Sequence, residues 1–138
     1  MGTKIVWSSL GLAFVFGLGV LAGEKAPESY SAIMKENSAA TASLKKNTDA
    51  KDYAAIAMDA ATFKSTFAKA EAFWTARQVD DAIGFAKMAA KAAGDLETAA
   101  KAKNDEGVGA ASRALTAACG GCHRAHRQAL PDGSFEIK

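Results

Sequence analysis

Two cysteines and a histidine near the end of the chain form its most reactive group of side chains. They occur in the run Cys119-Gly120-Gly121-Cys122-His123, and the sequence holds no other cysteine. Two thiols separated by two residues and followed directly by an imidazole match the C-x-x-C-H pattern of c-type haem attachment. The thiols bond to the haem vinyl groups, and the imidazole becomes an iron ligand. The pattern predicts one covalent haem c, held by Cys119, Cys122 and His123.

Two other kinds of site use the same residue types. A structural zinc site needs four ligands, here Cys119, Cys122, His123 and His126. Consecutive turns of one straight helix surround a zinc ion poorly, and such sites normally take their ligands from two elements. A thioredoxin-like redox pair needs its C-x-x-C motif at a helix N-terminus after a strand, which lowers a thiol pKa. Here the motif falls late in a predicted helix with no strand before it, so the pattern favours haem.

The segments that must position the motif are amphipathic helices. Alanine is the commonest hydrophobic residue among the 138, a composition that favours helix and leaves space for a large prosthetic group. Steps of three and four residues between apolar side chains predict helices over 29–46, Tyr53–Trp74, 81–103 and 106–129. Gly94 predicts a kink or break in the third. Short turns between the four imply an all-α fold, an antiparallel up-down-up-down four-helix bundle.

A hydrophobic segment precedes the predicted bundle. Lys4 is followed by the uncharged run Ile5–Gly23, which predicts an export signal or a membrane-anchor helix over residues 1–23. The run exceeds a usual signal-peptide core and approaches the length of a bilayer-spanning helix, which favours a retained anchor. Cleavage near Ala22 is the alternative and would release a soluble periplasmic protein. In both cases the rest of the chain is predicted on the periplasmic side of the cytoplasmic membrane.

The remaining segments complete the predicted organisation. Residues 24–28 form a polar linker, residues 29–130 form the four-helix haem domain, and residues 131–138 form a short tail after Pro131.

Acidic and basic residues are interspersed with a net charge of +2, which does not predict nucleic-acid binding. Beyond the haem motif the sequence shows no nucleophile–base pair, paired carboxylates or phosphate loop, so no enzymatic activity is predicted.

The place of the motif on the last bundle helix is the basis of a family resemblance. The run from Cys119 to Arg127 resembles the end of the fourth helix in the cytochrome c′ family, the class II c-type cytochromes. That helix reads C-x-x-C-H-x-x-(aromatic or His)-(Arg or Lys). The resemblance implies that Arg127 lies beside the proximal imidazole or a haem propionate. His126 is expected to be partly exposed near the haem edge, and the tail after Pro131 departs from the family pattern.

The resemblance also bears on the sixth iron position. In high-spin members of the family this position is open, and in low-spin relatives a methionine of the first helix ligates the iron. The run Ile33–Asn37 resembles the low-spin pattern, which implies Met34 as the ligand opposite His123. A neutral thioether favours reduced iron. The alternative is that Met34 only packs against the haem, as an adaptable side chain. Met58 and Met88 are further thioethers, on other helices.

Two functions from different classes are compatible with these expectations. Two axial protein ligands favour a one-electron carrier, anchored through residues 5–23 and exchanging electrons with membrane-bound donor and acceptor proteins. Such a carrier can also be a fixed subunit of a respiratory or photosynthetic complex. The alternative is a protein that binds nitric oxide or carbon monoxide at an open or displaceable distal site, as high-spin relatives do. The family often forms homodimers through its first two helices, and the small residues in these helices are compatible with that.

Overall fold

Four long helices make up most of the structure, a computed structural model that describes residues 23–138. They are α1 (Glu28–Asp49), α2 (Tyr53–Arg77), α3 (Asp80–Lys101) and α4 (Asp105–His126). Helix accounts for 78% of the described residues, so the predicted all-α class is confirmed. No helix within residues 23–138 is both long and apolar enough to cross a membrane. The predicted hydrophobic helix of residues 1–23 lies outside the described residues, apart from Gly23.

Capping and burial explain where the helices begin and whether they continue. The Asp52 side chain accepts a hydrogen bond from the Ala55 N–H at 3.0 Å, which caps α2, and Asn104 caps α4 in the same way. The sequence allowed a kink or a break at Gly94; the break is not found, because α3 runs without interruption through this residue. Leu96 and its alanine neighbours are buried on both sides of Gly94, and this packing outweighs the poor helix propensity of glycine.

Contacts at the two ends of the bundle show that the helices alternate in direction. Lys51, in the turn after α1, and Tyr53, at the start of α2, both bind the Asp105 carboxylate at the start of α4. At the opposite end, His126 closes α4 and binds Asp81 at the start of α3. The end of α1 thus meets the start of α4, and the end of α4 meets the start of α3. This is the up-down-up-down arrangement that the short turns predicted.

Alanine dominates the interfaces between the helices. The close helix pairs are α1 with α2, α2 with α3, and α3 with α4. The middle helix α3 buries a row of small side chains between its two neighbours: Ala82, Ala86, Ala89, Ala93 and Ala100. Such small residues let helix backbones approach each other closely. Large buried side chains are few, with Phe63 and Ile56 of α2 among them. Because α1 packs mainly on α2, a groove separates α1 from α4.

A small antiparallel sheet forms from segments that were predicted as a linker, a helix end and a tail. Its strands are β1 (Glu24–Lys25), β2 (Arg127–Ala129) and β3 (Phe135–Ile137), with β3 in the middle. The prediction that α4 continues to Ala129 is wrong. Residues 127–129 pair with β3 instead, and Ile137 is buried at the end of the bundle. The sheet therefore joins both ends of the described chain beside the last turn of α4.

Candidate haem-attachment site

The C-x-x-C-H motif lies in the last two turns of α4. Cys119, Cys122 and His123 are all partly exposed, and the two thiols are not bonded to each other. Residues four apart on a helix differ by about 40° around its axis, so Cys119 and His123 share one face of α4. Cys122 lies on the adjoining face. The three side chains that the sequence assigned to one haem thus extend from one side of a single helix.

Burial keeps both thiols in their neutral form. It raises the pKa of Cys119, and it raises the pKa of Cys122 to about 11, with smaller contributions from Cys119 and Asp81. A redox-active C-x-x-C pair contains a thiol of lowered pKa, because the thiolate is the nucleophile. The shifts here have the opposite direction. The motif also lies near the C-terminal end of α4 and not at a helix N-terminus, which disfavours the thioredoxin-like alternative.

His126 takes part in structural contacts at the end of α4. Its Nε2 atom is 2.9 Å from Asp81 Oδ2, and its Nδ1 atom is 3.2 Å from the carbonyl oxygen of Lys138. Its side chain is 12% exposed, and its position relative to a haem edge stays a prediction. Within residues 23–138, no three side chains of the His, Cys, Asp or Glu types are grouped to hold a metal ion.

The surroundings of His123 favour a neutral imidazole, which is the form that ligates iron. Burial lowers the pKa of His123, and the positive charge of Arg127 lowers it further. Arg127 was expected on the helix one turn after His123, but it is the first residue of β2. Its guanidinium carbon lies 3.3 Å from the centre of the Phe135 ring. Contact between Arg127 and a haem stays a prediction.

A groove between α1 and α4 opens beside the motif. Its walls are Thr41–Asp49 of α1, Phe63 of α2 and Gly109–Cys119 of α4, and we call it the α1–α4 groove. Its volume is about 350 Å³, within the range of small-molecule and cofactor sites. Cys119 belongs to the wall itself, and His123 follows one turn later on the same face of α4. A group bonded to Cys119 therefore has the groove next to it.

Two buried hydroxyl groups in the groove have no hydrogen-bond partner among the described residues. They are Thr48 Oγ1 and Ser112 Oγ, which we call the hydroxyl pair. Thr41 and Thr116 line the same groove, but their hydroxyls donate to helix carbonyls four residues earlier, at 2.8 and 2.9 Å. A buried hydroxyl without a partner costs about 1–3 kcal/mol. The walls of the groove include Cys119 but not Cys122, His123 or Met34.

Met34 lies on α1 about 10 Å along the helix axis before Thr41, the first wall residue of the groove on that helix. At 100° per residue it falls within about 40° of Thr41, Lys45 and Thr48 around the helix axis. Its side chain is partly buried against the core. Met58 and Met88 are 73% and 57% exposed, so neither is available to an iron held beside the groove. Among the methionines of residues 23–138, Met34 is the one with a partly buried side chain, and its ligation of iron stays a prediction.

Asn37, one turn after Met34, adds a polar group to the same part of α1. Its side chain is buried, and its Oδ1 atom accepts a hydrogen bond from the Thr66 hydroxyl. Its Nδ2 atom has no hydrogen-bond partner within residues 23–138. Turning the amide over would leave Oδ1 without a partner instead. The core beside Met34 thus contains one polar atom that the described protein groups do not satisfy.

An aromatic cluster near the motif was not assigned to the site from the sequence. The hydroxyl of Tyr30, on the first turn of α1, accepts a hydrogen bond from Trp74 Nε1 at 3.0 Å. The Tyr30 ring stacks on Phe73 with 4.2 Å between ring centroids. Burial raises the pKa of Tyr30 to about 12, and Cys122 and Cys119 raise it further against the lowering effect of Trp74. Tyr30 lies one turn before Met34 on α1.

Comparison of the chain with protein-family models, with curated proteins and with solved structures gave no match in any of the three. The fold and the site together define a class, namely a four-helix bundle with a C-x-x-C-H motif on its last helix. The resemblance to a family depends on the residues from Cys119 to Arg127 and, for the sixth ligand, on Ile33–Asn37. The family assignment is accordingly treated below as a proposal.

Replacing Gly121 by alanine should destabilise the fold by about 1–3 kcal/mol, the usual effect of overpacking. A Cβ atom on Gly121 would lie 2.9 Å from Cζ of Phe85, so the ring would have to move. Gly120→Ala is the matched control, because its Cβ would meet only Arg124 Nη1 at 3.4 Å. This control should stabilise α4 by up to about 1 kcal/mol through helix propensity. Equal unfolding free energies of the two variants in urea would contradict the contact.

Alkaline pH should weaken the fold through Tyr30. Its folded-state pKa of about 12 exceeds the ordinary value of 10.0, so the unfolded chain loses this proton first. The contribution is fully present below pH 10 and is lost between pH 10 and 12, amounting to about 2–3 kcal/mol. Tyr30→Phe removes this titration. The difference in unfolding free energy between the wild type and Tyr30→Phe should therefore change between pH 9 and 12, and a constant difference would contradict the assignment.

Proposed function

We propose that the protein is a monohaem c-type cytochrome of the cytochrome c′ kind that carries single electrons at the periplasmic face of the cytoplasmic membrane. The observation that carries the proposal is the C-x-x-C-H motif of Cys119–His123 beside the α1–α4 groove. The partly exposed Cys119, Cys122 and His123 on one side of α4, and the neutral imidazole favoured at His123, support a haem in this position. The raised pKa of both thiols and the engaged state of His126 count against the redox-pair and zinc alternatives.

Each residue of the site has a defined part in this proposal. The Cys119 and Cys122 thiols add across the two haem vinyl groups, so each sulfur forms a C–S bond and its proton goes to the other vinyl carbon. When a haem is bound, His123 would hold its iron through a neutral imidazole nitrogen, and Met34 of α1 would supply a thioether ligand. The haem, when bound, supplies a single iron that alternates between the ferrous and ferric states.

The helices serve electron transfer by holding both axial ligands still. Met34 lies on α1 and His123 on α4, and both helices bury apolar side chains in the core. A ligand pair that stays in place in both redox states keeps the change of geometry on transfer small. A neutral thioether and an apolar wall at Phe63 favour the reduced iron and raise the reduction potential.

The small sheet determines the end of the bundle at which a membrane anchor over residues 1–23 would be attached. Glu24, at the start of β1, pairs with Ile137 of β3 and binds Arg77 at the end of α2. The chain toward residue 23 therefore leaves the bundle at the end that carries the haem motif. An anchor there would hold the haem close to the membrane and raise its effective concentration near membrane-bound donor and acceptor proteins. The same arrangement suits a fixed subunit of a respiratory or photosynthetic complex.

The visible spectrum of the full chain, purified in mild detergent, tests this function. We expect a c-type haem that is reversibly reduced and oxidised, and a ferrous form that does not bind carbon monoxide because Met34 occupies the sixth position. Ready binding of carbon monoxide would instead support the gas-binding alternative. A purified protein without haem would contradict both functions.

A further inference from the structure

Side-chain hydrogen bonds join α1 to α2, the helix against which α1 mainly packs. From the start of α1 to its end, the pairs found within residues 23–138 are Tyr30 with Trp74, Asn37 with Thr66, and Asn47 with Asp59. Each pair contains at least one buried side chain. Apolar contacts are non-directional, whereas a hydrogen bond weakens steeply when its geometry changes. These pairs therefore fix the place of α1 on α2 more sharply than apolar packing does.

Met34 lies between the first two of these pairs. It follows Tyr30 by four residues and precedes Asn37 by three, so it is within one turn of both. The turn that joins α1 to α2 covers residues 50–52, at the opposite end of the helix. Two buried hydrogen bonds thus tie the part of α1 around Met34 to α2. We call these two pairs, Tyr30–Trp74 and Asn37–Thr66, the α1–α2 clamp.

Asn37 costs stability at its position in the core. It is 7% exposed, and its Nδ2 atom has no hydrogen-bond partner within residues 23–138. Thr66 does not need Asn37 as a partner, because its hydroxyl also lies 3.1 Å from the carbonyl oxygens of Thr62 and Phe63 in its own helix. A buried asparagine can fix the register of packed helices at a cost in stability. Asn37 therefore contributes to the position of α1 more than to the stability of the fold.

We propose that the α1–α2 clamp positions Met34 as the sixth iron ligand, with Asn37 as its main positioning residue. The inference rests on the proposed function, since it concerns the same iron site. His123 belongs to α4, which packs mainly on α3, and α3 in turn packs on α2. The place of Met34 relative to His123 therefore depends on where α2 holds α1. The hydrogen bonds of the clamp select one such place.

Asn37→Leu tests the clamp without leaving a polar partner unpaired. Leucine has a similar volume, and Thr66 keeps carbonyl partners within α2, so the unfolding free energy should stay at or above the wild-type value. Met34 should nevertheless be held less firmly. The weak red band of the oxidised protein should disappear on warming before the helices unfold. At a fixed temperature in this range, the ratio of iron without Met34 to iron with Met34 should rise about 2- to 10-fold, the factor for one net hydrogen bond.

Thr66→Val removes the same hydrogen bond from the side of α2. It should weaken the red band in the same way, and it provides the measurement if Asn37→Leu folds poorly. The double variant Asn37→Leu/Thr66→Val should weaken the band no more than the stronger single variant does, because both changes remove one contact.

Asn47→Leu is the matched control. It removes the hydrogen bond to Asp59 near the turn, and the buried Asp59 carboxylate then lacks this partner, so the variant should unfold more easily. Met34 is about 20 Å away along α1, so the red band should persist until the protein unfolds. The two asparagines thus have opposite expected results. Asn37→Leu weakens the ligand and keeps the stability, whereas Asn47→Leu lowers the stability and keeps the ligand.

The outcomes separate this inference from the proposed function. Absence of covalent haem from the wild-type protein would overturn the proposed function together with the clamp. A haem protein whose oxidised spectrum is the same in the wild type and in Met34→Leu would overturn the clamp but not haem attachment. A wild type with Met34 on the iron, whose Asn37→Leu variant keeps the red band up to unfolding, would overturn the clamp alone. Equal weakening of the band in Asn47→Leu would also overturn it.

Discussion

Replacing both Cys119 and Cys122 by serine should abolish covalent haem attachment completely. Serine hydroxyls do not add to vinyl groups under the conditions in which thiols do, so no thioether can form. The single variants should retain at most one thioether. Haem that stays with the chain after acid–acetone extraction, measured as the pyridine haemochrome, is the readout.

The control for this experiment is His126→Gln. Under haem attachment, His126 is not a ligand, and the variant should keep its covalent haem while it loses the contact with Asp81. Under the zinc alternative, the same change would remove one of four metal ligands. Haem that stays bound to Cys119→Ser/Cys122→Ser through extraction would contradict the attachment site.

Replacing Met34 by leucine should change the iron centre more than any other single substitution on α1. Leucine has a similar volume, so the packing of α1 should be largely kept. The iron would lose its thioether ligand, and the weak band near the red end of the visible spectrum of the oxidised protein should disappear. The reduction potential should fall by roughly 0.1–0.3 V, a part of the ~0.8 V range set by axial ligands. The ferrous variant should also bind carbon monoxide.

Two exposed methionines supply the controls for Met34. Met58→Leu and Met88→Leu change side chains that are 73% and 57% exposed, so the spectrum and the potential should stay at their wild-type values. A Met34→Leu spectrum identical to that of the wild type would show that Met34 only packs against the haem. The gas-binding function would then gain support, because the sixth position would be open.

Helix number and direction could be predicted from the sequence because they follow from local rules. Apolar residues at steps of three and four marked each helix, and polar turns such as Asn104–Gly107 separated them. The observed bounds differ by at most about three residues, the usual uncertainty of frayed ends and prediction. The C-x-x-C-H motif was equally local, so its three residues were found without knowledge of the fold.

The sheet could not be predicted, because its pairing joins the two ends of the described chain. Glu24 pairs with Ile137, and each strand has only two or three residues, too few to show alternation. Residues 127–129 continued the periodicity of α4, so the helix was predicted to continue. Pairing with β3 and the burial of Ile137 stabilise residues 127–129 as a strand more than another helical turn would. Arg127 was misplaced on the helix for the same reason.

The α1–α4 groove also could not be predicted from patterns in the sequence. Thr48 and Ser112 belong to different helices and are far apart in the chain, and nothing in their types shows that they face one cavity. Serine and threonine within helices usually bond back to a carbonyl four residues earlier, as Thr41 and Thr116 do. Which hydroxyls remain free depends on how α1 lies against α4. This is a tertiary property, and the sequence carries no local signal for it.

The intact mass of the exported protein under denaturing conditions tests the central claim most directly. Only a covalent bond survives denaturation, so the mass distinguishes attached haem from adsorbed haem. The proposed site predicts the mass of the chain plus one haem, and the same measurement shows whether the chain is cut near Ala22. A chain of unmodified mass, with Cys119 and Cys122 both open to alkylation, would contradict haem attachment and the function proposed from it.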